Sequence, residues 1–202
     1  FSNIILTMIN QILLISIAYL IGSLSFGIIV SKLLNLSDPR TIGSKNPGAT
    51  NVMRTGSKTA AILTLLGDIL KATIVVSVAM LINLNELELM QVTLAVLIGH
   101  TYPVYYQFKG GKGVATALGI LLASNWILAL SVVFIWLVIF YIWRYSSLSA
   151  IAAALSVPII SYLINDTSHI FLTHVLIAAL IIFNHQSNIK NLINGIEPSF
   201  KK

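Results

Sequence analysis

The stretch "WILALSVVFIWLVIFYIW", Trp126–Trp143, places eighteen residues in a row without a charged side chain. A hydrocarbon core about 30 Å thick needs roughly 20 apolar residues of α-helix, so this stretch is typical of a membrane-spanning helix. The whole chain has the same character, since 57% of its 202 residues are hydrophobic and only 9% are charged. Such a composition is typical of a polytopic membrane protein and leaves no room for a large soluble domain.

Further apolar runs lie on both sides of this stretch. They predict an all-α, polytopic transmembrane bundle of about seven helices, in a single integral-membrane domain over residues 1–202. The predicted helices cover residues 4–34, 59–83, 87–106, 114–124, 126–143, 148–164 and 169–184. The fourth run is short, so whether it crosses the bilayer is left open.

The charged residues are distributed unevenly along this pattern. When the runs are threaded alternately through a membrane, eleven of the twelve Lys and Arg residues fall at one face. The other face receives Glu86, Glu88 and Asp166 and no basic residue. The positive-inside rule makes the basic face cytoplasmic, which predicts an N-terminus outside and a C-terminus in the cytoplasm. The net charge of +6 then consists of topological anchors, and no nucleic-acid partner is expected.

The first predicted cytoplasmic loop is "DPRTIGSKNPGATNVMR", Asp38–Arg54. Glycine turns free backbone N–H groups, and small polar side chains beside them can surround phosphate oxygens. The density of such residues favours an anion cradle over the alternative, a solvated turn with topological charges. The candidate ligands are Arg40, Gly43, Ser44, Lys45, Asn46, Gly48, Thr50 and Asn51.

The second loop lies in "YYQFKGGKGVATALG", Tyr105–Gly119. Its glycines let the backbone approach a ligand, its lysines supply charge, and a helix begins directly after it. A Walker A loop requires Ser or Thr after the lysine, whereas Gly113 follows Lys112, so ATP is not implied. The candidates here are Lys109, Gly110, Gly111, Lys112, Gly113 and Thr116.

The third polar stretch, "NHQSNIKNLINGIEPSF", covers Asn184–Phe200 and contributes His185, Asn188 and Glu197. By itself it is a weak signal, since a polar tail commonly follows a last span.

Polar residues inside the apolar runs are further candidates. Asp68 and Lys71 share one helix face and are expected either to pair or to line a polar cavity. His100 lies beside the Gly-Lys loop.

Taken together, the motifs resemble one family, the bacterial membrane acyltransferases that use acyl phosphate and glycerol-3-phosphate. The matching segments are "GSLSFG" (22–27), "DPRTIGSKNPGATN" (38–51), "GHTYPVYYQFKGGKGVATALG" (99–119) and "HQSNIKNLINGIE" (185–197). They occur in the order and spacing of that family over most of the chain.

This resemblance implies transfer of a fatty acyl group from acyl phosphate to the primary hydroxyl of glycerol-3-phosphate. The products would be 1-acyl-glycerol-3-phosphate (lysophosphatidic acid) and phosphate. The resemblance further implies a multi-pass protein of the bacterial inner membrane with its active site on the cytoplasmic side, no cofactor and no metal. Functional coupling to the enzyme that forms acyl phosphate is a further implication.

The resemblance also implies roles for individual residues. The implied catalytic residues are Arg40, Ser44, His185 and Asn188. Further pocket members are Ser23, Arg144, Ser147 and Glu197. We expect the first loop to bind the acyl phosphate, with Arg40 as a bidentate clamp, and Lys109 and Lys112 to hold glycerol-3-phosphate.

Acyl phosphate carries its own good leaving group, so no acyl-enzyme is required. The proton of the attacking hydroxyl could pass to His185, to His100 or to a phosphate oxygen of the donor. The donor phosphate is favoured, because its basic oxygens lie next to the reaction centre. The competing interpretation is a transporter of a phosphorylated anion, which would need polar residues through both halves of the membrane.

Overall fold

The computed structural model describes the backbone of residues 2–164 and 166–200, and their side chains from Met8 onward. This part of the chain forms ten α-helices and two single 3₁₀ turns, with no strand among the described residues. The helices are α1 Ser2–Gly22, α2 Phe26–Leu33, α3 Ala49–Val52, α4 Lys58–Leu81, α5 Glu86–Thr101, α6 Val114–Ser124, α7 Trp126–Trp143, α8 Ser146–Leu163, α9 Ser168–Asn184 and α10 Gln186–Ile193. The predicted all-α class is confirmed.

The membrane-spanning elements differ in detail from seven continuous helices. Among the described residues, α4, α7 and α8 are each long and apolar enough to cross a bilayer. Two bent pairs bring the number to five if each pair is one span: α1 with α2, bent by 44°, and α9 with α10, bent by 59°. The helix α6 has 11 residues, about half the length that a span requires.

Two predicted helix boundaries were wrong. The run 4–34 breaks at residues 23–25, and the run predicted to end at residue 106 ends at Thr101. Pro103 accounts for the second difference, because proline lacks an N–H donor and keeps the residue before it out of the helical conformation.

Apolar side chains cover much of the surface. On α7, Trp126 is 63% exposed, Phe134 67% and Tyr141 75%. In water such a face would be an aggregation hazard, whereas in a bilayer it contacts lipid tails. The exposure pattern therefore agrees with an integral membrane protein.

The described chain divides into two compact units between Ala123 and Ser124. In unit 1, α1 packs against α5, while α2 and α5 pack against α4. Added Cβ atoms on Gly22 and Gly99 would overlap the facing backbone, so these glycines allow α1 and α5 to approach closely. In unit 2, α8 packs against both α7 and α9. The single domain over 1–202 stays a prediction.

Candidate active site

Asn51 organises the first loop. Its side chain is buried, its Oδ1 accepts the Ser44 N–H at 2.9 Å, and its Nδ2 donates to the carbonyls of Pro39 at 2.7 Å and Ile42 at 3.1 Å. A Cβ on Gly43 would overlap Oδ1, and Gly43 has a φ of +51°. The polar side-chain atoms of Asn51, a predicted ligand, are therefore engaged in hydrogen bonds that fix the shape of the loop.

Other residues of this loop have polar atoms that the loop does not use in this way. Ser44 and Lys45 have exposed side chains. Asn46 Oδ1 is buried without a hydrogen-bond partner in the described part of the chain. Gly48 precedes the short helix α3, which carries Thr50. The Ser44 and Lys45 side chains are thus accessible parts of the predicted cradle.

We expect Asn51→Ala to lower the free energy of unfolding by about 3 kcal/mol, because it removes three hydrogen bonds worth about 1 kcal/mol each. Thermal unfolding in detergent would measure this change. Asn194→Ala is the matched control, since Asn194 is exposed at the end of α10. An unfolding temperature of Asn51→Ala equal to that of the control would contradict this role.

Arg40 lies where the first two loops meet. Its Nε–H and Nη2–H donate to Asp38 Oδ1 at 3.1 Å and Oδ2 at 2.7 Å, and its guanidinium carbon lies 5.8 Å from the centroid of the Tyr106 ring. Hydrogen bonding from Arg40 holds the pKa of the Asp38 carboxyl below its ordinary value. The pair is therefore intact at neutral pH, and its stabilisation is lost only as the pH falls through that lowered pKa.

Two partners of Arg40 were missed by sequence reasoning. Asp38 stands two residues before Arg40, a spacing that could have indicated the ion pair. Tyr106 is separated from Arg40 by the three helices α3, α4 and α5, so no local signal existed. The bidentate clamp predicted for phosphate is occupied by a carboxylate of the same loop, and a phosphate would have to displace Asp38 to receive the same fork.

The second loop is folded back against the end of α5. The N–H groups of Gly110 and Gly111 donate to the carbonyls of Thr101 at 3.2 Å and His100 at 3.1 Å. Cβ atoms would overlap the His100 carbonyl at Gly110 and the His100 imidazole at Gly111. These glycines thus permit close backbone packing, and both amides predicted for a phosphate already have partners.

The other candidates of this loop differ in accessibility. Lys109 is exposed, whereas Lys112 is half-buried and engaged by the protein. Gly113 has a φ of +91° and directly precedes α6. Thr116 is fully buried on α6, and its Oγ1 has no hydrogen-bond partner among the described residues.

Ser23 ties the end of α1 to the same region. Its hydroxyl donates to the Tyr19 carbonyl at 2.8 Å and accepts the Val104 N–H at 3.4 Å. The side chain is fully buried, so its contacts in this structure are with the protein.

Asp68, Lys71 and His100 form one buried cluster in unit 1. Lys71 Nζ lies 2.9 Å from Asp68 Oδ1 and 3.0 Å from His100 Nδ1. The sequence prediction of a paired arrangement is met, and contact of these groups with substrate stays a prediction.

In unit 2 the third stretch is organised by Glu197. Its Oε1 accepts the Ser147 hydroxyl at 2.6 Å and Asn188 Nδ2–H at 2.7 Å. Its Oε2 is buried and has no hydrogen-bond partner in the described part of unit 2. The Glu197 carboxylate thus brings together the predicted residues Ser147 of α8 and Asn188 of α10.

Two further candidates lie in unit 2. His185 is 4% exposed, and its Nδ1 lies 2.7 Å from the Ile181 carbonyl. Since a carbonyl only accepts, Nδ1 carries the proton, and Nε2 is the basic nitrogen of the neutral ring. Arg144 is exposed at the end of α7, with its guanidinium carbon 5.5 Å from the centroid of the Tyr141 ring.

One cavity lies away from all these residues. It has a volume of about 130 Å³ and is found in unit 1, where α1 and α5 meet the loop before α5. Its lining residues are Asn10, Gln11, Leu14, Leu84, Glu88 and Val92. None of the candidate residues contributes to it, so it is not the candidate active site.

Comparison with known proteins gives one consistent result. The family model described as glycerol-3-phosphate acyltransferase matches residues 12–195. The chain is 47% identical to the glycerol-3-phosphate acyltransferase of Methylobacillus flagellatus over 193 residues, covering 96% of this chain and 98% of the relative. It is 50% identical to that of Cupriavidus necator over 184 residues, covering 89% and 91%.

Solved structures agree with the sequence comparisons. The crystal structure of PlsY, described as an integral membrane glycerol 3-phosphate acyltransferase in its glycerol 3-phosphate form, superposes with a TM-score of 0.90. It shares 38% sequence identity, over 95% of this chain and 96% of that one. Its lysophosphatidic acid form gives a TM-score of 0.89 at 37% identity, with the same coverage. The chain therefore belongs to the glycerol-3-phosphate acyltransferase family of integral membrane proteins.

Proposed function

We propose that this protein transfers a fatty acyl group from acyl phosphate to the primary hydroxyl of glycerol-3-phosphate. The products are 1-acyl-glycerol-3-phosphate and phosphate. The observation that carries the acceptor and the product is the likeness to PlsY, whose two crystal structures are described as its glycerol 3-phosphate and lysophosphatidic acid forms. The donor rests on the resemblance of the motifs at residues 38–51 and 99–119.

The chemistry of an acyl phosphate suits the groups in the candidate loops. The hydroxyl oxygen attacks the acyl carbonyl carbon, the bond from that carbon to the phosphate oxygen breaks, and the phosphate leaves. The hydroxyl proton goes to an oxygen of the departing phosphate, so the reaction balances without an acyl-enzyme. Exposed Ser44 and Lys45 are the groups of the first loop that suit the donor phosphate, and Arg40 of the same loop would suit it once Asp38 is displaced. Lys109 and Lys112 suit glycerol-3-phosphate.

In unit 2 we propose that His185 and Asn188 contact the reacting groups. The Nδ1 of His185 is held by the Ile181 carbonyl, which orients the ring and leaves Nε2 as its basic nitrogen. Asn188 is oriented by Glu197. His185 is thus the protein group best prepared to assist, while the donor phosphate remains the favoured acceptor of the proton.

The described part of unit 2 contains a Ser-His-Asp group, but its geometry does not favour a nucleophilic serine mechanism. Ser161 donates its hydroxyl proton to Asp166 at 2.5 Å, and His174 Nδ1 lies 2.8 Å from the serine oxygen and 3.4 Å from Asp166. A relay needs histidine between serine and carboxylate, whereas here serine bonds directly to the carboxylate. The group lies at the C-terminal end of α8, whereas Ser147 lies at its N-terminal end.

We further propose that the reaction occurs on the cytoplasmic side of the bacterial inner membrane. The support is the one-sided distribution of Lys and Arg along the chain. On that side the enzyme that forms acyl phosphate could supply the donor directly.

The test uses purified protein in sealed liposomes with labelled glycerol-3-phosphate and one of three donors: acyl phosphate, acyl-CoA or an acyl carrier protein thioester. We expect labelled lysophosphatidic acid with acyl phosphate alone. Protein-free liposomes with the same donors are the control. Product formation with acyl-CoA alone would overturn the proposal that acyl phosphate is the donor. Uptake of label without product would favour the interpretation as an anion transporter.

A further inference from the structure

The break between α1 and α2 leaves backbone carbonyls without helical partners inside unit 1. Lys71, from the middle of α4, reaches two of them: its Nζ donates to the Gly22 carbonyl at 2.9 Å and the Leu24 carbonyl at 2.6 Å. Where no water is present, freed carbonyls of a broken helix require such partners. The Lys71 ammonium therefore completes this break.

The same ammonium is held on its other side by Asp68 and His100. Its Nζ lies 2.9 Å from Asp68 Oδ1 and 3.0 Å from His100 Nδ1, and the residue is 4% exposed. An ammonium has three N–H donors; Gly22 O, Leu24 O and His100 Nδ1 lie within hydrogen-bond distance of this one, and Asp68 Oδ1 adds the opposite charge. All of its hydrogen-bonding capacity is therefore used within the protein, and Lys71 acts as a tethered cation in an enclosed site.

This cluster is connected directly to the Gly-Lys loop. The His100 carbonyl accepts the Gly111 N–H at 3.1 Å, and the His100 ring lies against Gly111 so closely that a Cβ there would overlap it. Ser23 lies between the two carbonyls that Lys71 binds and accepts the Val104 N–H. Movement of the ammonium would therefore displace both the end of α1 and the loop backbone.

We propose that Lys71 is a positioning residue: its ammonium holds the α1–α2 break against His100 and thereby sets the backbone of residues 109–113. The inference rests on the proposed function in one respect, namely that this loop holds glycerol-3-phosphate. It assigns to Lys71 a role in substrate affinity without contact between Lys71 and the substrate.

The main variant is Lys71→Ala, which leaves room for a small alkylammonium. We expect the KM for glycerol-3-phosphate to rise by about tenfold or more, with kcat changed by less than about threefold. Propylammonium in the assay is expected to lower the KM again, whereas 1-propanol of the same shape is not, because the site requires a cation. Lys58→Ala, at the exposed start of the same helix, is expected to behave as wild type.

A second measurement does not depend on turnover. Hydrogen exchange of the amides in residues 109–113 is expected to be at least about tenfold faster in Lys71→Ala, since the loop loses its support. If the wild type forms no product with any donor, the proposed function fails, while the exchange experiment still tests the inference. Unchanged KM together with unchanged exchange would overturn it, as would a loss of kcat at constant KM.

Lys71→Ala leaves the Asp68 carboxylate buried without its partner, which threatens folding. The double variant Asp68→Asn with Lys71→Met removes both charges. We expect it to fold and to keep the raised KM and the faster exchange, because the Gly22 and Leu24 carbonyls still lack their donor. Wild-type KM and exchange in this folded double variant would overturn the proposal.

Discussion

Replacing Gly111 by alanine is expected to reduce kcat/KM for glycerol-3-phosphate by about a hundredfold, mainly through KM, because a misplacement of about 1 Å in a substrate-holding loop has an effect of that size. The added Cβ would overlap the His100 imidazole, which is buried and held at Nδ1 by Lys71. The Gly111 backbone cannot retreat without losing its bond to the His100 carbonyl. Either the loop or the buried cluster must therefore move.

The measurement is the initial rate of lysophosphatidic acid formation in detergent or liposomes, alongside an unfolding curve that shows the variant is folded. Gly56→Ala is the control for backbone conformation alone, since Gly56 has a φ of +90° and no atom within 4 Å of an added Cβ. That control should lose stability by about 1 kcal/mol and keep its activity. A wild-type kcat/KM for glycerol-3-phosphate in Gly111→Ala would show that the close packing on His100 is not needed.

Glu197→Leu is expected to have an effect of similar size in unit 2. It removes the acceptor of both the buried Ser147 hydroxyl and the half-buried Asn188 amide, and a buried donor left unpaired costs about 1–3 kcal/mol. Because Asn188 would no longer be oriented, we expect kcat to fall by about a hundredfold. Steady-state kinetics with both substrates varied would measure the change.

The conservative variant Glu197→Gln keeps an oxygen that can accept both bonds, so its kcat is expected to stay within about tenfold of wild type. Glu86→Leu introduces the same apolar side chain at the exposed start of α5 and serves as the control. Equal loss in Glu197→Gln and Glu197→Leu would indicate that the negative charge matters rather than the hydrogen-bonded arrangement. Full activity of Glu197→Leu would exclude Glu197 as the organiser of the third stretch.

The candidate residues illustrate how far sequence reasoning reached. It identified the first loop from its density of small polar residues, and the structure places Ser44 and Lys45 of that loop at the surface. It interpreted the Gly110 and Gly111 amides as free to donate hydrogen bonds to a phosphate, whereas both amides donate to carbonyls at the end of α5. The presence of glycine indicates close backbone approach, but it does not say which group makes the approach.

The sequence contained a signal for the helix break at residues 23–25. The predicted run 4–34 is longer than one span needs, and "GSLS" at residues 22–25 interrupts its apolar residues. The sequence also indicated the pairing of Asp68 with Lys71 from their spacing of three residues. It carried no signal for the carbonyls that Lys71 binds.

The sequence by itself determined the all-helical membrane class, the positions of the apolar runs and the places of the polar turns between them. These depend on the length of uncharged segments and on local composition, which are properties of neighbouring residues. Only the tertiary structure decided which polar groups are already used and which stay accessible. The reason is distance along the chain: Lys71 completes its hydrogen bonds with Gly22, 49 residues away, and with His100, 29 residues away, and such partners meet only when the helices pack.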